Sequence, residues 1–291
     1  MKITFLGTSA GEEYPGIWCD CENCARARSL GGRNIRRNSA IMIDGDAMID
    51  IGKTAHIQAE RFNKNLRKIK TLLVTHSHSD HFDLHTMWAR QMTPGVDAMS
   101  REEQNKTASP RFTKAPVLDM FGNERVEDAL RGAIKGAINC DEANINFTRV
   151  KPFENYKADN IEFFTLDGNH SDGDMRSINY IISRGGVTFL YMLDSGWPFE
   201  ETLNAMKKYK YDFIITEGTF GLGMDSLTHM NFDKCKRLLG FFNENKLWKN
   251  KPEYYLTHIA PHWSPPHDEY APAVEAAGMK LAYDGLEIIF D

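Results

Sequence analysis

The sequence predicts an α/β protein with buried sheets. Short apolar runs rich in Ile, Val, Phe and Tyr recur along the chain, and helix-period segments lie between many of them. Mixed strands and helices throughout imply an α/β architecture. Hydrophobic residues make up 42% of the 291 positions and charged residues 26%, which is enough apolar material for a sizeable core.

Taken in order, the apolar runs at 3–6, 40–43, 70–74, 116–120, 161–166, 178–182, 187–193, 213–216, 254–257 and 286–290 read as strands. Helical periodicity is expected at 55–62, 84–90, 124–138, 199–208, 232–243 and 268–277. The stretch 92–114 is polar, carries Pro94 and Pro110 and has no clear period, so it reads as a lid insertion. No internal repeat or linker divides the chain, and one domain over 1–291 is the expectation.

The formal net charge of −5 gives no general attraction to nucleic acid. The Lys-rich stretch 234–251 alternates with apolar residues like a solvated helix face. Nothing at MKITFLG resembles a signal peptide, and no run reaches the length of a membrane span, so the cytoplasm is the expected location and a membrane partner is not expected. Oligomeric state is silent, and a homodimer stays open.

One strand candidate, 70–74, runs directly into Thr75-His76-Ser77-His78-Ser79-Asp80-His81. Three imidazoles and a carboxylate within six residues suit zinc, manganese or iron. A chance His-rich loop is disfavoured because the cluster is internal and follows an apolar strand. His170, Asp194 and His258 each lie just past the end of another apolar run, where side chains can converge on one cleft. With the cluster they make a set of seven candidate ligands.

The H-x-H-x-D-H signature, followed in order by single His, Asp and His residues, resembles the metallo-β-lactamase superfamily. The resemblance implies an αββα sandwich with two metal ions at one edge of the sheets. It implies His76, His78 and His170 on one ion and Asp80, His81 and His258 on the other, with Asp194 and a hydroxide between them. Two such ions, about 3.5–4 Å apart, lower the pKa of a shared water and neutralise charge on an attacked phosphoryl group.

A second cluster, Cys19-Asp20-Cys21-Glu22-Asn23-Cys24, marks a zinc loop at about 18–25. Three thiolates are one ligand short of a tetrahedral structural zinc, and His262, His267, Cys140 and Cys235 are candidates for the fourth. The run GTSAG, this cluster followed by Arg36-Arg37-Asn38-Ser39, LTHIAPH and YDGLEI together resemble the PhnP-type cyclic phosphodiesterases of the phosphonate pathway. In that group a His shortly after the last catalytic His completes the zinc site, which implies His262, with His267 the alternate. The same resemblance gives His229 the role of contacting phosphate and protonating the leaving group, and Asp80 is counted with it as a catalytic candidate. Arg36 and Arg37 read as a solvated pair or a phosphate contact, and His56 and His85 as structural or surface residues.

The expected function is therefore hydrolysis of a small phosphodiester, a ribosyl cyclic phosphate in the PhnP case. Two other readings share features of the sequence. A tRNA 3′-processing nuclease has the same signature but is disfavoured by the acidic charge. The PqqB group of cofactor biosynthesis also carries a C-x-C-x-x-C cluster, whereas a full seven-ligand set favours hydrolysis.

Overall fold

The computed structural model describes residues 1–90, 100, 102, 115–132 and 138–290. Strands β1 (Lys2–Gly7), β2 (Ala40–Ile43), β3 (Ala47–Ile49), β4 (Thr71–Leu73), β5 (Leu118–Gly122) and β6 (Ile145–Arg149) form one seven-stranded sheet with β14 (Glu287–Ile289). β14 borders β1, and the rest follow in chain order. The second sheet holds β7 (Asn155–Ala158), β8 (Ile161–Asp172), β9 (Met175–Arg184), β10 (Val187–Met192), β11 (Phe213–Glu217), β12 (Tyr254–Thr257) and β13 (Lys280–Leu281), also in chain order.

Successive side chains of a strand point to opposite faces, so each sheet feeds two cores. Phe5, Ile41, Ile43 and Ile49 point inward and meet Tyr180, Phe189, Tyr191 and Phe213 of the other sheet. Their neighbours Leu6, Ala40, Met42 and Met48 point outward. There they pack on α2 (Ala55–Arg61), α3 (Leu84–Trp88), α4 (Glu124–Gly132) and α5 (Cys140–Ala143) through Ala55, Met87, Val126, Leu130 and Ala143. On the far side Ile181, Leu190, Ile214 and Leu256 pack against α6 (Glu200–Met206), α7 (Phe232–Glu244) and α8 (His267–Ala276), and α1 (Glu22–Leu30) adds Ala27. The result is the expected αββα sandwich. Strands buried on both faces explain why the sequence shows continuous apolar runs instead of alternation.

Ten expected strands are present, and the differences have local causes. The fourth of them, β5, begins at Leu118 and not at 116, because Pro116 has no N–H for the ladder. β8 runs on to Asp172, through a register irregularity between Asp167 and Ser171. β3, β6, β7 and β13 escaped the sequence pattern. Of these, β6, β7 and β13 lie at or next to a sheet edge, and β7 reads only NYKA. α1 begins inside the loop expected at about 18–25 and extends beyond it, and ENCARARSL has no apolar stripe to mark it. The insertion expected at 92–114 lies outside the described residues except for 100 and 102, as does the stretch 133–137 of the helix expected at 124–138.

Candidate metal centre

β3 and β4 run parallel in one sheet, and β10, β11 and β12 run parallel in the other. Their carboxyl ends deliver side chains to a common edge, the usual place for a ligand in parallel sheets. Three of the residues delivered there leave the extended conformation at once: Asp50 has φ 62°, Asp194 φ 43° and His258 φ 57°. Left-handed backbone is uncommon outside glycine and enriched for Asp and His, and it turns Asp194 and His258 from the strand line into the cleft and Asp50 behind His81. His170 arrives differently, inside β8 at its irregularity, where the sequence had placed it past a strand end. Gly52 makes the close packing of the signature loop feasible, because a Cβ there would lie 1.9 Å from the carbonyl oxygen of Asp80.

The seven expected side chains meet as two adjoining groups, His76, His78 and His170 in one and Asp80, His81, Asp194 and His258 in the other. In the first, His76 Nε2 is 2.9 Å from His78 Nδ1, which is 3.4 Å from His170 Nε2. In the second, His81 Nε2 is 2.7 Å from Asp194 Oδ2, 3.3 Å from Asp80 Oδ2 and 3.2 Å from His258 Nε2. Asp194 Oδ2 also stands 3.3 Å from His76 Nε2, so this carboxylate reaches both groups.

What fixes the imidazoles lies behind them. Asp50, fully buried, accepts from His81 Nδ1 at 2.8 Å and from the amide of Thr75 at 2.8 Å. The Thr75 hydroxyl donates to Asp50 at 3.0 Å and stands 3.1 Å from His76 Nδ1, from which it can accept. Thr219 repeats the device, donating to Glu217 and meeting His258 Nδ1 at 2.8 Å. Each Nδ1 is therefore occupied, and His76, His81 and His258 all present an Nε2 lone pair to the cleft. A cation bound there would be met by those lone pairs; without one, a proton on His81 Nε2 takes its place against Asp194. Asp194 Oδ1 and His170 Nδ1 are buried without a hydrogen bond. Nitrogen and carboxylate donors in this number fit divalent transition ions.

The protein without ions shows the same frustration in its charges. Burial alone would push the Asp194 and Asp80 carboxyls up, but the surrounding histidines hold both well below the usual range. Burial would likewise lower His81, yet Asp80, Asp194 and Asp50 raise it well above the ordinary imidazole value. His76, buried beside it, stays neutral because burial and the His81 charge both lower it.

Above these groups opens a cleft of about 260 Å³ lined by His78, Asp80, His170, Asp194, His229 and His258 among others. His229 stands in it, outside those two groups but in a further one with Asp194, Glu217 and His258, its Nδ1 3.0 Å from Glu217 Oε2 and 3.3 Å from Asp194 Oδ1. Burial opposes protonation of His229, but Glu217, Asp194 and Glu12 together outweigh it and the imidazole is pushed up to about 9. Glu217, Asp50, Thr75 and Thr219 are the residues that sequence reasoning missed. Asp50 and Glu217 carried one signal, an acidic residue at the end of an apolar strand.

Of the two candidate histidines, His262 lies beside the cysteine cluster and His267 does not. Cys19 Sγ lies 3.8 Å from His262 Nδ1, and Cys19, Cys21 and His262 form a third group of potential ligands. Cys24 is buried nearby, its sulfur accepting from the amide of Gly16 at 3.3 Å. His267 instead sits against Arg36, 2.8 Å from the guanidinium to Nδ1. Cys235 packs in the helix-side core, and Cys140 against the opposite one. Arg36 is a correction to the sequence reading: it is buried at 1% exposure, bonded to Thr8 and to the carbonyl of Ala282, and touches no cleft residue. His56 and His85 are exposed, and His85 stacks on Trp88.

Two seven-stranded sheets between helical layers, with His and Asp clusters at one edge, give the chain the metallo-β-lactamase fold. No protein-family model and no curated protein matches it. Among solved structures it is similar to a diphosphatase from the PhnP family, with TM-score 0.70 and 22% identity over 99% of this chain and 96% of that one. It is also similar to Zn²⁺-bound PqqB from Methylobacterium extorquens, with TM-score 0.73 and 16% identity over the full length of both. A third is the metallo-β-lactamase fold protein YhfI from Bacillus subtilis, with TM-score 0.65 and 16% identity over 99% and 98%. No helix among the described residues is long and apolar enough to cross a membrane.

Proposed function

We propose that this protein is a metal-dependent hydrolase of small phosphodiesters. The observation that carries the reading is the pair of ligand groups sharing Asp194, with an ionisable His229 beside them but held by a different carboxylate. His76, His78 and His170 would hold one divalent ion, and Asp80, His81 and His258 the other, with Asp194 common to both. Zinc, manganese and iron all suit these donors. When bound, the ions supply the Lewis acidity of the reaction, activating water and neutralising phosphoryl charge. Cys19, Cys21, Cys24 and His262 would close a separate structural zinc, which leaves no position for substrate.

The chain's own residues do the rest. Glu217 fixes His229 through Nδ1 and raises its affinity for a proton, leaving Nε2 to donate to the departing oxygen. Asp80 orients and balances the charge of the ligand group it shares with His81. The cleft has neither Lys nor Arg among the described residues that line it, which suits a substrate with one phosphoryl group better than a polynucleotide. A PqqB-like role would not require both ligand groups to be complete.

The test is a hydrolysis screen of bis-p-nitrophenyl phosphate, cyclic phosphates, lactones and β-lactams with zinc, manganese or iron reconstituted in turn. Turnover of the phosphodiesters supports the reading. Turnover confined to lactones or β-lactams overturns it.

A further inference from the structure

The outer half of the cleft has a different chemistry from its floor. Trp263 and Phe220 form one wall, with ring centroids 5.5 Å apart and planes inclined at 31°, and Phe220 continues to His229 at 5.7 Å. Trp263 is 37% exposed, and its position is tightly set. Its carbonyl accepts from the amide of Leu222 at 2.9 Å. Its ring lies so close to Gly223 that a Cβ there would be 2.6 Å from the indole. One face of the indole is thus packed on loop backbone. Glu12 also lines the cleft; its carboxylate makes no hydrogen bond among the described residues, and its charge adds to those that favour protonation of His229.

A fixed, half-exposed indole is a stacking platform for a flat ring. A carboxylate without a hydrogen bond at the same mouth accepts N–H donors and repels a second phosphate. We infer that this outer half is a subsite for a heteroaromatic ring carrying N–H donors, as in a guanine-type nucleobase, attached to the single phosphodiester processed below. The inference rests on the phosphodiesterase reading for what occupies the floor of the cleft. It adds Trp263 and Glu12 as the residues that select the rest of the substrate.

Calorimetric binding to the metal-loaded protein tests it with GMP and with ribose 5-phosphate, which lacks the base. The wild type should prefer GMP by about five- to 150-fold, the range of one base–aromatic stack. Trp263→Ala should erase that preference while leaving ribose 5-phosphate binding unchanged. Trp263→Phe, which keeps a ring and guards against misfolding next to His262, should retain part of it. Glu12→Gln should weaken GMP and lessen the discrimination against GDP. Equal affinity of the wild type for GMP and ribose 5-phosphate, or a preference that survives Trp263→Ala with metal content intact, overturns the subsite. Kinetics separate the two failures. Hydrolysis of guanosine 2′,3′-cyclic phosphate and of the base-free methyl riboside 2′,3′-cyclic phosphate with equal KM sinks the subsite alone. A GMP preference without hydrolysis of any phosphodiester sinks the activity alone.

Discussion

Asp50 governs the centre without facing the cleft, because it accepts from both Thr75 and His81 while fully buried. Asp50→Ala frees the His81 ring and leaves the Thr75 amide unpaired, so affinity for the catalytic ions should fall about 10- to 100-fold, as for other supporting partners of metal-bound histidines. Competition with a chromophoric chelator measures this, and unchanged affinity would show that the loop orients His81 unaided. His229 acts on the other side of the chemistry. His229→Ala should keep both catalytic ions while kcat falls about a hundredfold to ten-thousandfold. The loss should be much larger for an alkyl phosphodiester than for bis-p-nitrophenyl phosphate, whose leaving group departs without a proton. Equal losses would confine His229 to positioning phosphate. The seven candidate ligand positions stand out in the sequence because His and Asp at strand ends have a spacing of their own, and the fold brings their side chains together. Asp50 and Glu217 do not stand out, since one acidic residue after an apolar run looks the same whether it faces water or supports a histidine from behind. Arg36 misled for a related reason, because nothing local in Arg36-Arg37 tells a buried guanidinium from a solvated one.

At the scale of elements, the segment from Thr257 to Ser264 joins two sites. It leaves β12, turns His258 into the cleft through its left-handed backbone, and four residues later sets His262 beside Cys19. Asn23 of α1 ties the same segment by donating to the carbonyl of Pro261 at 2.9 Å. The cysteine loop therefore anchors a stretch that carries both a candidate ligand, His258, and the cleft wall. Cys21→Ser should lower the thermal midpoint or the yield of folded protein before it alters chemistry, with zinc content falling by one ion per chain on elemental analysis. A variant that folds normally and keeps its zinc yet loses activity would make the cluster catalytic. The strands near the sheet interiors were readable because both faces are apolar. β6 and β7, with solvent on one side and few cross-strand neighbours, left only short mixed runs such as INFTR and NYKA. The order of the strands was not readable at all, because pairing such as β14 with β1 joins opposite ends of the chain.

The whole molecule is closed by contacts of that long-range kind, and Arg36 is at their centre. Its guanidinium donates to Thr8 after β1, to the carbonyl of Ala282 after β13, and to His267 at the start of α8. His267 accepts through Nδ1, so a proton on that nitrogen would break the bond and set two positive charges against each other. Burial, then Arg36 and Arg33, push this imidazole down to about 3, against the ordinary 6.5 it regains on unfolding. The sign follows from which state binds more protons. Above pH 6.5 neither state is protonated at His267 and its contribution to stability is complete. Between 6.5 and 3 the unfolded chain takes up a proton that the folded chain refuses, so stability is lost as pH falls, at about 1.4 kcal/mol per pH unit for one proton. His267→Gln retains an acceptor for Arg36 without a basic nitrogen. Urea unfolding of metal-stripped protein should therefore show the wild type losing more stability than the variant between pH 6.5 and 4, the two curves converging as pH falls. Stripping removes acid-driven loss of metal from the comparison, and both proteins keep the same cleft residues. Parallel curves for the two proteins would mean that His267 is protonated in the folded state, and that Arg36 holds the chain ends together through Thr8 and Ala282 alone.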